Sequence, residues 1–271
     1  MANVLHATFF HPEGPRYAAP LVLLPGLWAC PESCRGVASY LAHRGWECHV
    51  LDLRAHADGI AARAADVVAY VRRLPTPAVL VGHDAGSLVA LAAAAHGAAA
   101  GVVLLAPLVP GSGGARTVAL RPAALPALVF GRRVAPPTGH ARRLLLSGLP
   151  TAARELVGAA LAAESAAAVL DVARGRVDPA PLGGVPGLLV SGADDVLLPS
   201  AAAAVLASEI GAAHHVLAGA GHWLLAGPVW QRTVGLVHRW IVQQLGEPLL
   251  DLYAETMAER DADDGEGSEN V

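Results

Sequence analysis

The 271-residue chain predicts an α/β fold: a mostly parallel central sheet with helices on both faces and one inserted helical segment. Three observations carry this. Short aliphatic runs alternate with longer Ala-rich stretches of helical length. The alternation breaks between about Pro107 and Val185, where Pro recurs and no sheet strand is evident. Hydrophobic residues make up 54% of the chain and charged residues 15%, which supports a large buried core and excludes a disordered or fibrous chain.

The elements follow in order. Val4–Phe10 reads as an antiparallel edge hairpin. Leu21–Leu24, Cys48–Leu53, Ala78–Val81, Gly101–Leu105, Gly187–Val190 and His215–Leu217 have strand length and composition. Glu32–His43, Ile60–Leu74, Ser87–His96, Ser200–Ile210 and Trp223–Leu245 have helical length and periodicity, and Gly97 stops the third of these. Within the break, short helices are expected over Ala141–Ser147, Thr151–Ala159 and Ala162–Val172. The division that results is a core of residues 1–106 and 186–247, a helical cap insertion over 107–185, and a C-terminal helix with an acidic tail over 248–271.

Charge narrows the partners. All 19 basic residues are Arg, and the net charge of -4 is unevenly spread. Residues 247–271 carry nine acids against Arg260, leaving +4 on the rest, and no uninterrupted basic run accompanies that surplus, so nucleic acid is not an expected partner. The insertion has nine Arg against Glu155, Glu164, Asp171 and Asp178; this reads either as a preference for anionic or polar ligands or as a solvated helical surface. The start, MANVLHATFFHPEGP, lacks a basic leader and a long apolar stretch. The apolar window Gly86–Pro110 is Ala- and Gly-rich with His96 inside it, a buried helix running into a buried strand; no membrane association is expected. Three cysteines, Cys30, Cys34 and Cys48, are an odd number that favours a reducing, cytoplasmic setting. No further Cys or clustered His completes a metal set, so neither metal nor cofactor is expected. The expected partner is a small-molecule substrate. A homo-oligomer or a docking partner for the C-terminal segment stays open, because Leu249, Leu252, Tyr253 and Met257 fall near one helical face; the other reading is a short helix packed on the core.

Four local motifs bear on chemistry. In Val79-Leu80-Val81-Gly82-His83-Asp84-Ala85-Gly86-Ser87, a strand ends in a turn with Gly two before and two after Asp84, and a helix follows. Such a turn strains its central residue and crowds neighbouring Cβ atoms, which is why both flanks are Gly. It lifts Asp84 above the carboxyl end of the sheet beside a helix N-terminus. The others are Leu21 to Trp28, ending in Pro25-Gly26-Leu27-Trp28; Val190 to Pro199, containing Asp194-Asp195; and Gly219-Ala220-Gly221-His222-Trp223.

In this order the motifs resemble the α/β-hydrolase fold, and the resemblance covers nearly the whole chain except the acidic tail. Gly82 to Gly86 is similar to its nucleophile elbow, with Asp84 where most members carry Ser. The resemblance implies an oxyanion hole from the backbone N–H groups of Leu27 and Ala85, a triad acid at Asp195 (by spacing to Gly192 and Pro199, over Asp194) and a triad base at His222. The gaps of 111 and 27 residues between nucleophile, acid and base fit a cap placed before the acid strand.

A carboxylate at the elbow changes the feasible reaction. Attack on an acyl carbon gives a mixed anhydride, whereas attack on a saturated carbon bearing an epoxide oxygen or halogen gives an ordinary alkyl ester. Water activated by His222 then attacks that ester. The chain is thus similar to the Asp-nucleophile branch of epoxide hydrolases and haloalkane dehalogenases, as an atypical member. Ala85 replaces the branch's usual bulky residue after the nucleophile, which removes the customary dehalogenase Trp. The cap lacks Tyr, the four being Tyr17, Tyr40, Tyr70 and Tyr253, so the leaving alkoxide needs another proton donor, His140 or a cap Arg. Pro25-Gly26 stands where His-Gly is usual. Candidate substrate contacts are Trp28, through its indole N–H, together with His83, His140 and Trp223; for His83, as for His214 and His215, the other reading is structural. The expected activity is epoxide opening by an Asp84 nucleophile. The alternatives are a dehalogenase, a lyase, cyclase or esterase-derived enzyme using Asp84 as a base, and a ligand-binding homologue without catalysis.

Overall fold

In the computed structural model, which describes residues 5–54, 58–97, 99–176 and 179–245, seven strands form a single sheet. They are β1 (Ala7–Phe10), β2 (Leu21–Leu24), β3 (Cys48–Leu51), β4 (Ala78–His83), β5 (Ala99–Leu105), β6 (Gly187–Gly192) and β7 (Ala213–Leu217), in the spatial order β1-β3-β2-β4-β5-β6-β7. Strands β2, β3, β4 and β6 are buried along their whole length, as expected of aliphatic runs covered on both faces. From β3 to β7 every pairing is parallel; β1 alone is antiparallel, with Ala7 opposite Leu51. The expected hairpin at the N-terminus is therefore corrected. Both edges of β2 are already taken by β3 and β4, so β1 pairs with the remaining edge of β3.

The helices are α1 (Arg35–His43), α2 (Ile60–Val71), α3 (Ala85–Ala94), α4 (Gly113–Ala119), α5 (Leu125–Val129), α6 (Gly139–Leu145), α7 (Thr151–Ala160), α8 (Ala166–Arg174), α9 (Ser200–Ile210) and α10 (Trp230–Leu245). Helix α3 is buried on nearly every side, and its Ala and Gly residues let it lie close to the sheet. Outside the insertion, two helices start three or more residues later than expected. Helix α1 is preceded by a 3-10 turn over Pro31–Cys34, and α10 begins at Trp230 because Gly227, at φ 71°, and Pro228 open a separate 3-10 turn.

Residues between β5 and β6 form an insertion with five short helices, α4 to α8. Of these, α4 and α5 have no clear counterpart in the sequence pattern, since the Pro-rich sequence masks their periodicity. Helix α8 starts four residues later than expected, with Ser165 Oγ accepting from Ala168 N at 3.5 Å, because the residues before it are held elsewhere. Glu164 pairs with Val134 in an isolated antiparallel bridge, and Ala162 N donates to Trp28 O at 2.8 Å. Residues 1–234 form one compact unit containing the sheet and the insertion; a second begins at Gly235 and holds, among the described residues, the remainder of α10. The segment 248–271, with its expected helix and docking face, lies outside the described residues. No helix among the described residues is long and apolar enough to cross a membrane.

Candidate active site

The turn between β4 and α3 holds Asp84 at φ 55° and ψ -124°, outside the regions ordinary residues favour. Its flanks explain how the strain is tolerated. A Cβ at Gly82 would collide with the Gly86 carbonyl, and one at Gly86 would collide with the Leu24 carbonyl. Asp84 N donates to Leu105 O at 3.0 Å and Ser87 Oγ to Gly82 O at 2.9 Å, so the turn is fixed from the neighbouring strand and from its own helix.

Three further segments converge on this turn. Leu27 N donates to Asp84 Oδ2 at 2.7 Å, across a Gly26 that has no room for a side chain against the same carboxylate. His222 Nε2 lies 3.2 Å from Asp84 Oδ1, and its Nδ1 lies 2.8 Å from Asp195 Oδ2. The other Asp195 oxygen accepts from Leu197 N at 2.8 Å and Leu198 N at 3.0 Å, while Asp194 is exposed. Ser147 Oγ of the insertion accepts from His222 N at 2.9 Å. Asp84, Asp195 and His222 are all buried.

Burial by itself lowers the basicity of His222, but the charge of Asp195, its hydrogen bond and the bond to Asp84 outweigh it and raise the pKa to about 10. His222 is therefore an imidazolium at neutral pH, with an N–H directed at each carboxylate. Its neighbour behaves oppositely. Burial, and then the positive charge of His222, push His83 down to about 4, so His83 is neutral. His83 Nε2 lies 3.3 Å from the His222 carbonyl, which can only accept, so the proton sits on Nε2; Nδ1 is buried with no hydrogen-bond partner among the described residues.

The remaining candidates divide. Ala85 N opens α3 and makes no hydrogen bond to the Asp84 carboxylate among the described residues, so of the two backbone donors only Leu27 N is engaged there. The expectation for the Trp28 indole is corrected: Trp28 Nε1 donates to Val134 O of the insertion at 3.2 Å, which occupies the only indole donor. His140 is exposed in the first turn of α6, because the buried stripe of that helix runs through Ala141 and Leu145, one position around; it does not join the site. Trp223 is buried with its ring edge-on to His83, centroids 4.9 Å apart.

Sequence reasoning missed Glu164. This side chain is fully buried; Oε1 accepts from Arg63 at 2.5 Å and from Ser165 N at 2.6 Å, and Oε2 accepts from Trp28 N at 3.2 Å. With Ala162 N on Trp28 O and Val134 O on the indole, the insertion satisfies every polar group of Trp28. Trp28 is thereby held at φ 61°, directly after the Leu27 N–H that meets Asp84. The available signal is a single acid within the otherwise uncharged, Ala-rich run Ala162-Ala163-Glu164-Ser165-Ala166. Among the described residues, no group of three or more His, Cys, Asp or Glu is arranged to hold a metal ion.

The sequence pattern of the alpha/beta hydrolase family matches residues 21–231. Among solved structures, a thermophilic esterase from Thermogutta terrifontis, with malate bound, superposes at a TM-score of 0.69 with 20% identity, over 89% of this chain and 93% of that one. A monoacylglycerol lipase from Paleococcus ferrophilus gives 0.71 with 20% identity, over 89% and 100% of the two chains. A soluble variant of monoglyceride lipase from Saccharomyces cerevisiae, in complex with a substrate analog, gives 0.70 with 15% identity, over 89% and 92%. At these identities the likeness shows the fold alone. No curated protein matches the chain in sequence at a significant level.

Proposed function

The chain belongs to the alpha/beta hydrolase family, and from that membership we propose that it is a hydrolase in which Asp84 attacks an electrophilic saturated carbon, opening an epoxide on a small organic molecule. One observation carries the proposal: a carboxylate on a strained turn, with one oxygen on the Leu27 N–H and the other on His222. The three structural neighbours described above are an esterase and two lipases. An acyl substrate would convert Asp84 into a mixed anhydride, which brings little advantage over the starting ester, so an alkylating carbon suits this side chain better.

The protonation states support a closed cycle. An Asp84 oxygen forms a bond to the epoxide carbon, the carbon–oxygen bond breaks, and the alkoxide takes the Nε2 proton of the His222 imidazolium. That transfer replaces the tyrosine donors missing from the insertion, and it leaves His222 neutral. Esterification also removes the Asp84 charge that helped to hold the proton on His222. Neutral His222 then accepts a proton from water as the water attacks the ester carbonyl. The oxyanion forms on Asp84 itself, where Leu27 N is in place and Ala85 N is available; one such donor typically contributes about 2.7–4 kcal/mol. The diol leaves with the proton from His222, and the carboxylic acid of Asp84 returns its own proton to His222. Asp195 orients the ring and offsets its charge throughout. The insertion acts as a cap, holding the base loop through Ser147 and the oxyanion loop through Glu164. Halide release is less favoured, because the indole of Trp28 is directed to Val134. Three free thiols favour the cytoplasm as the setting.

The test is a single turnover in water carrying a heavy oxygen isotope, over a panel of aliphatic epoxides, haloalkanes and esters, followed by mass spectrometry of the peptide containing Asp84. Isotope in Asp84 is the expected result. Turnover without isotope there would make Asp84 a base, and binding without turnover would make the chain a ligand-binding homologue; either overturns the ester route.

A further inference from the structure

A cavity of about 380 Å³ opens between α7 of the insertion and the two loops that follow the site residues. Its walls come from Ala29 and Cys30, just after the oxyanion loop, from Trp223 and Leu225, just after His222, and from Val157 and Leu161 of the insertion. Apolar groups dominate this lining, and the charged residues on it, Glu32 and Arg35, are paired with each other. The volume falls within the range of roughly 300–1,000 Å³ typical of small-molecule sites.

We infer that this cavity binds an unbranched aliphatic chain of the substrate, so that the enzyme acts on medium-chain terminal epoxides. The inference deepens the proposed reaction and rests on it for the reacting group, but the cavity's occupant is read independently of chemistry. Two observations point to an apolar occupant. First, α7 has no buried residue although it presents Leu156 and Val157 to the cavity; a short helix normally depends on burying an apolar face, and a chain in the cavity supplies that contact. Second, the buried Trp223 both lines the cavity and rests its ring on His83, the residue preceding Asp84. A chain lying along Ala29 and Leu225 therefore ends beside the loops that present Leu27 N and His222.

Cys30 makes this readable without turnover. It lines the cavity and is partly exposed, with Sγ 3.6 Å from Ala160 O of α7, whereas Cys34 and Cys48 are buried and burial pushes both of their thiols up to about 12. The experiment follows alkylation of Cys30 by N-ethylmaleimide in the full chain, with peptide mass spectrometry. Vicinal octanediol is expected to slow the modification at least fivefold at saturation, and propanediol at the same concentration to leave it unchanged. Val157→Trp, which fills the cavity from a partly exposed position, is expected to abolish the protection. With epoxides of increasing length as substrates, KM falls about fourfold per added methylene until the cavity is full. Unchanged alkylation in octanediol, or equal protection by propanediol, overturns the inference. The same measurement on Asp84→Asn separates the two readings, since protection there supports the cavity's role whatever becomes of the nucleophile.

Discussion

Replacing Asp84 by Asn separates the nucleophile from its geometry. Asn is among the residues that tolerate positive φ, so the turn at φ 55° keeps its shape and Leu27 N keeps an acceptor. What is lost is the anionic oxygen that bonds to carbon. The charge facing His222 also falls from two carboxylates to one, which lowers the pKa of the imidazolium. We expect kcat for epoxide opening to drop by at least about a thousandfold, with far-ultraviolet circular dichroism and the thermal midpoint close to those of the parent. Retention of more than a tenth of the activity would remove Asp84 from the covalent role. Substitution by Ser at the same position provides a hydroxyl within reach of His222, the arrangement most members of the family carry. A gain of ester hydrolysis in that variant, without epoxide opening, is the companion expectation.

At the scale of elements, the insertion is attached to the core by a buried ion pair, Arg63 on α2 with Glu164, the residue before the α8 cap. Removing one partner strands the other charge away from water, which in comparable pairs costs about 3–5 kcal/mol. Glu164→Ala should therefore destabilise the protein by that amount in urea unfolding. A second change, Arg63→Met, should restore part of the loss, so that the double variant is less destabilised than the two single variants taken together. An additive result would mean that the pair is not coupled. This tie also marks the limit of what is legible in sequence. The β4 turn is readable because Gly82, Asp84 and Gly86 interact within five residues, where steric crowding alone fixes the residue types. The spacing that favours Asp195 over Asp194 is readable for the same reason: Asp195 bonds to Leu197 N and Leu198 N in its own loop. Glu164, by contrast, meets Trp28 across 136 residues, and the Trp28 indole meets Val134 across 106, so no local pattern reports either contact. Strand β1 is legible as an edge strand, but its partner depends on which sheet edge the other strands leave open.

For the molecule as a whole, two buried histidines, His83 and His222, set opposite limbs of one stability profile. His222 is faced by Asp84, Asp195 and His83; His83 is faced by His222 and the ring of Trp223. In the folded state His222 titrates near 10, against an ordinary value of 6.5, so folding takes up a proton between those values. Its stabilisation is fully present below about pH 6.5 and is lost as pH rises through 10. His83 titrates near 4 when folded, so the unfolded chain takes up the proton first. Its contribution is present above about pH 6.5 and is lost as pH falls through 4. These two groups together place a stability maximum close to pH 6.5, with limbs each on the order of a few kcal/mol. Urea midpoints measured across this range should trace the maximum. His222→Gln should flatten the alkaline limb, and His83→Gln, which keeps an amide donor for the His222 carbonyl, should flatten the acid limb. An alkaline limb that persists unchanged in His222→Gln would mean that the imidazole is not held charged between the two carboxylates. The proton it is proposed to give to the opening epoxide would then have to come from elsewhere.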